Sequence, residues 1–239
     1  TRQMGKLPLV VGACPGFLVN RILLPYIVEA ARMFEEGVDA DRIDGALERF
    51  GMPMGPLTLA DEVGLDVGVK VAKVLEESYG ERMHVPKGLS RVADEGLKGK
   101  KGGKGFYVYT GKKRKHANAE ARKLALNGHG DAHLELTDEE IVDRTVLAMV
   151  NQAARCLEEG VAQRGDDVDV AMVMGTGFAP FRGGLIRYAD ERGAAPIVER
   201  LRDLEARYGM RFEPAPLLAK AAANGGRLSL HARERENTG

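Results

Sequence analysis

A ten-residue stretch occurs twice in this chain. Glu29-Ala-Ala-Arg-Met-Phe-Glu-Glu-Gly-Val38 returns as Gln152-Ala-Ala-Arg-Cys-Leu-Glu-Glu-Gly-Val161, with seven of the ten positions identical. The match continues on both sides. Arg21 lies opposite Arg144, and after a small gap Ile43-Asp44 lies opposite Val168-Asp169. Gly51-Met52-Pro53-Met54 lies loosely opposite Gly177-Phe178-Ala179-Pro180. A chain built this way is expected to hold two copies of one helical unit, superposing over 17–79 and 141–208. One copy alone would leave an apolar face bare, so the two long helices are expected to pack together, their paired alanines allowing close approach.

The local signals fit this plan. After Pro15-Gly16, Leu23, Ile27, Ala30/Ala31 and Phe34 share one helical face, and Gly37 stops the helix. Asp39 is placed to cap a second helix reaching about Phe50. Short helices follow at about 57–63 and 66–79. Thr137-Asp-Glu-Glu140 is a capping box, opening a long helix that Gly160 ends. Further helices are expected at about 167–174, 184–192, 195–208 and 215–223. Two runs read as strands, Leu7 to Val11 and Gly105 to Tyr109, and two isolated runs cannot build a sheet. The expected class is all-α, with two tandem helical units and one or two short orphan strands. The expected divisions are 1–12, a strand remnant of a nucleotide-binding domain; 13–110, the first repeat; 111–136, a linker; 137–224, the second repeat; and 225–239, a disordered tail.

Composition narrows the function. Lys plus Arg equals Asp plus Glu at 35 each, so no overall field selects nucleic acid or a membrane surface. No apolar run reaches the roughly 18 residues of a membrane span. Two cysteines are too few for a disulfide framework and suit reduced thiols in the cytoplasm. Lys98 to Lys115 carries eight Lys/Arg and no acid. Its aromatics alternate like a half-buried strand, so the run reads as a solvated loop or as a contact for nucleotide phosphates. His129-Gly-Asp131-Ala-His133 has metal-ligand residue types but no second ligand cluster, and reads as a surface loop. Cys14 has no His or Lys neighbour in sequence to activate it as a nucleophile.

Three motifs in order carry a family resemblance. Val10-Val11-x-x-Cys14-Pro15-Gly16-Phe17-x-Val19-Asn20-Arg21 resembles the start of the C-terminal part of 3-hydroxyacyl-CoA dehydrogenases. Pro53-Met54-Gly55-Pro56-x-x-Leu59-x-Asp61-x-x-Gly64-Leu65-Asp66 and Gly99-x-Lys101-x-Gly103-x-Gly105-Phe106-Tyr107 resemble the same family. The second copy, with Gly175-x-Gly177-Phe178-x-Pro180-Phe181-x-Gly183-Gly184, is similar to the multifunctional members that join an enoyl-CoA hydratase to the dehydrogenase. The resemblance covers about residues 4–223.

The resemblance implies NAD-dependent oxidation of a (3S)-3-hydroxyacyl-CoA in fatty-acid β-oxidation. Family members carry a glycine-rich nucleotide-binding βαβ domain ahead of this region and a His base in His-Phe-Phe-Asn-Pro. Neither Gly-x-Gly-x-x-Gly nor that His segment occurs here. The chain therefore reads as a fragment or separately encoded half, inactive alone, with NAD bound mainly by the other domain. Asn20 matches the family Asn near the substrate 3-oxygen; from spacing alone it could equally cap or solvate the helix start. Lys101 matches a family Lys near the dinucleotide, against the plainer reading of a loop lysine. Met174 stands where some members have a substrate-contacting Tyr; core packing is its expected role, with adaptable apolar packing toward an acyl chain as the alternative. No catalytic residue and no metal site is expected in this chain. The implied partners are the nucleotide-binding domain, a thiolase-type subunit and a second copy in a homodimer. The alternative function is a non-catalytic scaffold for partner docking.

Overall fold

The computed structural model describes residues 8–127 and 132–230. The class is all-α, with one two-stranded sheet among the described residues. The first copy runs α1 (Phe17–Glu35), α2 (Ala40–Phe50), α3 (Pro56–Val63), α4 (Leu65–Tyr79), a 3-10 turn (Gly80–Met83) and α5 (Lys87–Asp94). A hairpin of β1 (Tyr107–Thr110) and β2 (Lys113–Ala117) and a short helix α6 (Ala119–Ala125) follow. The second copy repeats the first element by element: α7 (Asp138–Glu158), α8 (Gly165–Thr176), α9 (Leu185–Arg192), α10 (Ala194–Tyr208), a 3-10 turn (Met210–Phe212) and α11 (Pro216–Asn224).

The compact units do not follow the sequence copies. One unit comprises Thr1–Ile22 with Met149–Gly239, and the other is Leu23–Ala148. Each therefore contains the opening turns of the other copy's long helix. In the first unit Arg21 of α1 forks onto Glu159, with Nη2–Oε1 at 2.8 Å and Nη1–Oε2 at 2.7 Å. Turned with its oxygen toward this guanidinium, the Gln152 amide accepts from Nε at 2.6 Å and Nη2 at 3.1 Å. In the second unit Arg144 of α7 forks onto Glu36 at 2.5 and 2.9 Å and donates to Glu29 at 3.1 Å. Arg21 and Arg144, Glu159 and Glu36, Gln152 and Glu29 are matched positions of the repeat. Both arginines are buried. The long helices thus meet twice, once in each unit, through the same interaction with the roles exchanged.

Both helices stop the same way. Gly37 and Gly160 take positive φ, +104 and +73, which residues with a Cβ rarely adopt. The next amides, of Val38 and Val161, reach back five residues to the carbonyls of Met33 and Cys156, closing a Schellman-type cap. The capping box forms as expected: Glu140 N donates to Thr137 Oγ1 at 3.2 Å, and Thr137 N to the Glu140 carboxylate at 3.0 Å.

Two further carboxylates recur in each copy. Asp44 of α2 accepts the Leu57 and Thr58 amides at the start of α3, at 2.9 and 3.0 Å. Asp169 of α8 accepts the Ile186 and Arg187 amides at the start of α9, at 2.6 and 3.2 Å. Free amides at a helix start are matched to a negative charge in both cases. The approach is so close that a Cβ on Gly55 or Gly184 would fall 2.1 or 2.4 Å from the Asp44 or Asp169 Cγ. Asp61 of α3 accepts the Phe106 and Tyr107 amides at 2.9 and 3.0 Å and the Tyr109 hydroxyl at 3.0 Å. Asp190 of α9 accepts the Leu228 and Ser229 amides at 2.7 and 3.1 Å.

Several expectations need correcting. Pro8–Val11 form no strand, and Leu7 lies outside the described residues; Gly12 N instead donates to Val161 O at 2.8 Å. β1 is not an orphan, since it pairs antiparallel with Lys113–Ala117. The partner strand is polar throughout and carries no alternating pattern to reveal it. The stretch 111–136 is no bare linker: it holds β2 and α6, whose first turn is capped by the Asn118 side chain through Glu120 N at 3.0 Å. Asp39 stands at the start of α2, but its side chain pairs with Arg122 at 2.8 Å and does not cap the helix. In the tail, Leu228–Leu230 form a 3-10 turn tied to Asp190, with Leu228 buried; residues 231–239 lie outside the description.

Breaking the Arg144 fork should be costly, because the buried Glu29 carboxylate would lose one of its cationic partners and Glu36 its fork. Arg144→Ala is expected to lower the unfolding free energy by about 3–5 kcal/mol, measured by urea denaturation; a loss under about 1 kcal/mol would contradict this account. Burial pushes the Asp61 and Asp169 carboxyls up to about 6 against the pull of their amide donors. A folded value above the unfolded one means that these groups stabilise most below about pH 3.8 and lose that contribution as pH rises through 6. Carboxyl-carbon NMR should place both midpoints near 6, and Asp169→Asn should flatten the fall in melting temperature between pH 4 and 6.

Candidate functional site

The first turn of α1 carries the expected substrate contact. Cys14-Pro15-Gly16-Phe17 is a tight turn with Phe17 N on Cys14 O at 2.9 Å. Gly16 takes φ +78, which with Pro in front is the type II pattern. Phe17 itself stands at φ +49, uncommon for a residue with a side chain, and is 64% exposed. Three residues on, the Asn20 side chain is exposed. Between them Val19 turns toward α8: a Cβ on Gly175 would sit 3.2 Å from a Val19 methyl. The last turn of α8 therefore lies against the first turn of α1.

That contact overturns the core reading of Met174. Beside Gly175, Met174 is 76% exposed, and Val170 one turn earlier is also exposed. Sequence could not reveal this, because Val168 to Met174 is apolar on nearly every face and periodicity does not single out a buried side. Asn20, whose carboxamide can donate and accept, and Phe17 are thus exposed on the first turn of α1, and Met174 is exposed beside the glycine that lies against Val19. Beneath it lies the Arg21 fork. Cys14 Sγ contacts Phe17 O at 3.4 Å, and burial pushes the Cys156 thiol up to about 12. Cys156 is thus a neutral thiol near neutral pH and no nucleophile.

Lys101 belongs to the other compact unit. Its Nζ lies 2.6 Å from Asp66 Oδ1, over Gly64. The hydrogen bond to Lys101 holds the Asp66 carboxyl below its usual range. The neighbouring cations are answered too: Lys100 by Glu62, Lys104 by Glu120 at 3.2 Å, and Arg114 by Asp44 at 3.4 Å. Half of the eight cations between Lys98 and Lys115 are therefore paired inside the chain. The loop is not an unbalanced basic surface, and the half-exposed Lys101 ammonium keeps donors beyond the one that meets Asp66.

None of the described histidines belongs to the compact unit that holds Asn20. His84 pairs with Glu76, His116 sits on the exposed strand β2, and His133 lies 3.4 Å from Glu135. His129, Asp131 and His231 fall outside the described residues.

Comparison with known proteins agrees with this architecture. The family model described as "3-hydroxyacyl-CoA dehydrogenase, C-terminal domain" matches twice, over residues 16–109 and 141–234. The fatty acid oxidation complex subunit alpha of Shewanella amazonensis is 44% identical over 94% of this chain and 32% of its own length. The protein of that name from Vibrio cholerae is 41% identical over 94% of this chain and 31% of its own. The chain thus spans about a third of these relatives. Among solved structures, 3-hydroxybutyryl-CoA dehydrogenase from Escherichia coli K12 shares the fold, with TM-score 0.76 and 24% identity, over 92% of this chain and 62% of that one. The dehydrogenase part of multifunctional enzyme 1 from C. elegans matches with TM-score 0.68 and 25% identity, over 92% of this chain and 51% of that one.

Proposed function

Since the chain belongs to the 3-hydroxyacyl-CoA dehydrogenase family through a duplicated C-terminal domain, we propose that it supplies the substrate-binding helical part of an enzyme oxidising (3S)-3-hydroxyacyl-CoA in fatty-acid β-oxidation. The observation that carries this is Asn20, an exposed amide on the first turn of α1 among exposed apolar side chains. NAD, held by another domain, would supply the hydride acceptor when bound; the part of this chain would be to hold the substrate's 3-oxygen. Asn20 Nδ2–H would donate to the 3-oxygen and strengthen that bond as negative charge develops there. Phe17 and Met174 would give the adjoining acyl carbons an apolar surface, Met adapting to chain shape.

The base and most of the dinucleotide site would come from outside this chain, from a nucleotide-binding domain. Within this chain Lys101, paired with Asp66 on an exposed loop, would add one cation to a dinucleotide site made mainly elsewhere. A cytoplasmic location, a thiolase-type subunit and a homodimer belong to the same reading. No described helix is long and apolar enough to cross a membrane. A second reading, a non-catalytic scaffold, draws on Phe181 and Met210, large apolar side chains exposed on the unit that holds Asn20; they would be docking points for a partner chain.

Asn20→Ala in the complete enzyme separates the two. Loss of one such donor is expected to lower kcat by about 100- to 1000-fold, with an unchanged melting temperature because the side chain is exposed. An unchanged kcat would favour the scaffold, and the 239-residue chain alone should form no NADH. Lys101→Ala in the complete enzyme should raise the KM for NAD with kcat nearly constant. If KM does not move, the Asp66 pair is the whole role of this lysine.

A further inference from the structure

From Gly55 to Gly80 the first copy aligns without a gap with Gly184 to Gly209 of the second, and the positions that shape the backbone recur. Asp61-Glu62 returns as Asp190-Glu191, Gly64 as Gly193, and Tyr79-Gly80 as Tyr208-Gly209. Asp66 does not recur: its counterpart is Ala195. Its partner does not recur either. Lys101 stands five residues before Phe106, whose amide meets Asp61; five residues before Leu228, whose amide meets Asp190, stands Ala223. Gly64 and Gly193 have similar φ, +95 and +90, so both copies need a glycine at the turn. Only in copy one is the room above it used. A Cβ on Gly64 would lie 2.8 Å from Lys101 Nζ and 3.0 Å from Asp66 Oδ1, whereas one on Gly193 would meet nothing closer than Pro196 of the helix it precedes, at 3.4 Å. The second copy folds without this ion pair, so the helical unit does not require it.

The loop that carries Lys101 is held independently of that pair. Gly99 N donates to Lys104 O at 2.8 Å and Gly103 N to Lys100 O at 3.1 Å, closing the loop on itself. Asp61 takes the Phe106 and Tyr107 amides and leaves no room for a Cβ at Gly99 or Gly105. Lys100 pairs with Glu62. The backbone at 101 is therefore fixed, and what Asp66 adds is the direction of the side chain, with Nζ 2.6 Å from Oδ1. Both groups are about half exposed, and an ion pair so exposed adds little stability. Holding a lysine side chain in one place costs rotamer entropy. With Asp66 as partner, that ordering is complete before a ligand arrives. We propose that Asp66 is a positioning residue: it presents the Lys101 ammonium, already ordered and with donors to spare, to the dinucleotide. This rests on the reading of Lys101 as a dinucleotide contact. The Asp66 charge itself would oppose an anionic ligand, but salt screens that effect, whereas ordering acts at contact and persists in salt.

NADH titrated by fluorescence into the complete enzyme and its variants, in about 0.15 M salt, reads binding without turnover. Asp66→Ala, which installs the copy-two residue, should raise the dissociation constant about two- to tenfold. The KM for NAD should rise in parallel, with kcat and melting temperature unchanged. Because Asp66 acts through Lys101, the same substitution in a Lys101→Ala background should change the dissociation constant less than about twofold. An affinity that is unchanged or tighter in Asp66→Ala overturns the proposal. So does an equal loss with and without Lys101, which would make Asp66 a direct contact. If Lys101→Ala itself leaves the affinity unmoved, the underlying reading fails and the proposal with it. A loss in Lys101→Ala with none in Asp66→Ala removes the proposal alone.

Discussion

A buried arginine cannot shed its charge, and that constraint organises this fold. Arg21 and Arg144 are both sealed from water, so each needs a carboxylate held in fork geometry. The carboxylate comes from the other copy's long helix in both cases, Glu159 for Arg21 and Glu36 for Arg144. Neither copy supplies both partners at either place, so neither can bury its own arginine satisfied. Charge also balances locally. Around Arg21 the carboxylate of Glu159 is joined by neutral Gln152. Around Arg144 the extra carboxylate of Glu29 is met by Arg32 at 3.3 Å. Buried ion pairs add little net stability over apolar packing. Their value here lies in register: sliding either long helix by one residue would strand a guanidinium.

The carboxylate clamps extend the same logic. Asp44 and Asp169 each draw the start of the next helix onto the preceding one, so closely that the residue opposite has to be a glycine. Asp61 and Asp190 each hold two consecutive amides of a segment far along the chain, β1 in one copy and the 3-10 turn at Leu228 in the other. The acceptor stays fixed while the donor segment changes from strand to turn. An ionised carboxylate fixes only where two amides must point, and more than one backbone form can meet that demand.

What the sequence made legible follows from which interactions are local. Helix periodicity, the Thr137–Glu140 box and the stopping glycines act within a few residues, and these features stand as read. The repeat was legible because both copies kept Ala-Ala-Arg and Glu-Glu-Gly at one spacing. Interactions across tens of residues were not. β2 is a strand because Tyr107–Thr110 offers it a ladder, not because Lys-Arg-Lys-His prefers one. Asp39 had the type and place of a cap, but Arg122, far along the chain, took its carboxylate. The tail past Gly225 is polar, and its burial of Leu228 depends on distant partners, Asp190 anchoring the amides and Gly165 of α8 lying against Ser229. At the candidate site Asn20 was legible by resemblance, whereas the exposure of Met174 depends on Gly175 lying against Val19.

The copies also show why a duplicated fold carries one candidate substrate contact and not two. The repeat register that sets Arg21 opposite Arg144 sets Asn20 opposite Asp143. Asn20 is exposed, while Asp143 is buried. An amide can donate to an oxygen on which charge is growing; an ionised carboxylate can only accept, and would repel that charge. At the start of α1 a Pro-Gly turn leaves Phe17 and Asn20 open to a ligand. At the start of α7 the capping box fills the same place with Thr137 and Glu140 satisfying each other. A helix end whose amides and side chains close on themselves has little left to offer a substrate. The second copy therefore serves the first by completing its arginine fork and bracing its first turn through Gly175. The candidate contact, Asn20, stands on the copy whose long helix begins without such a box.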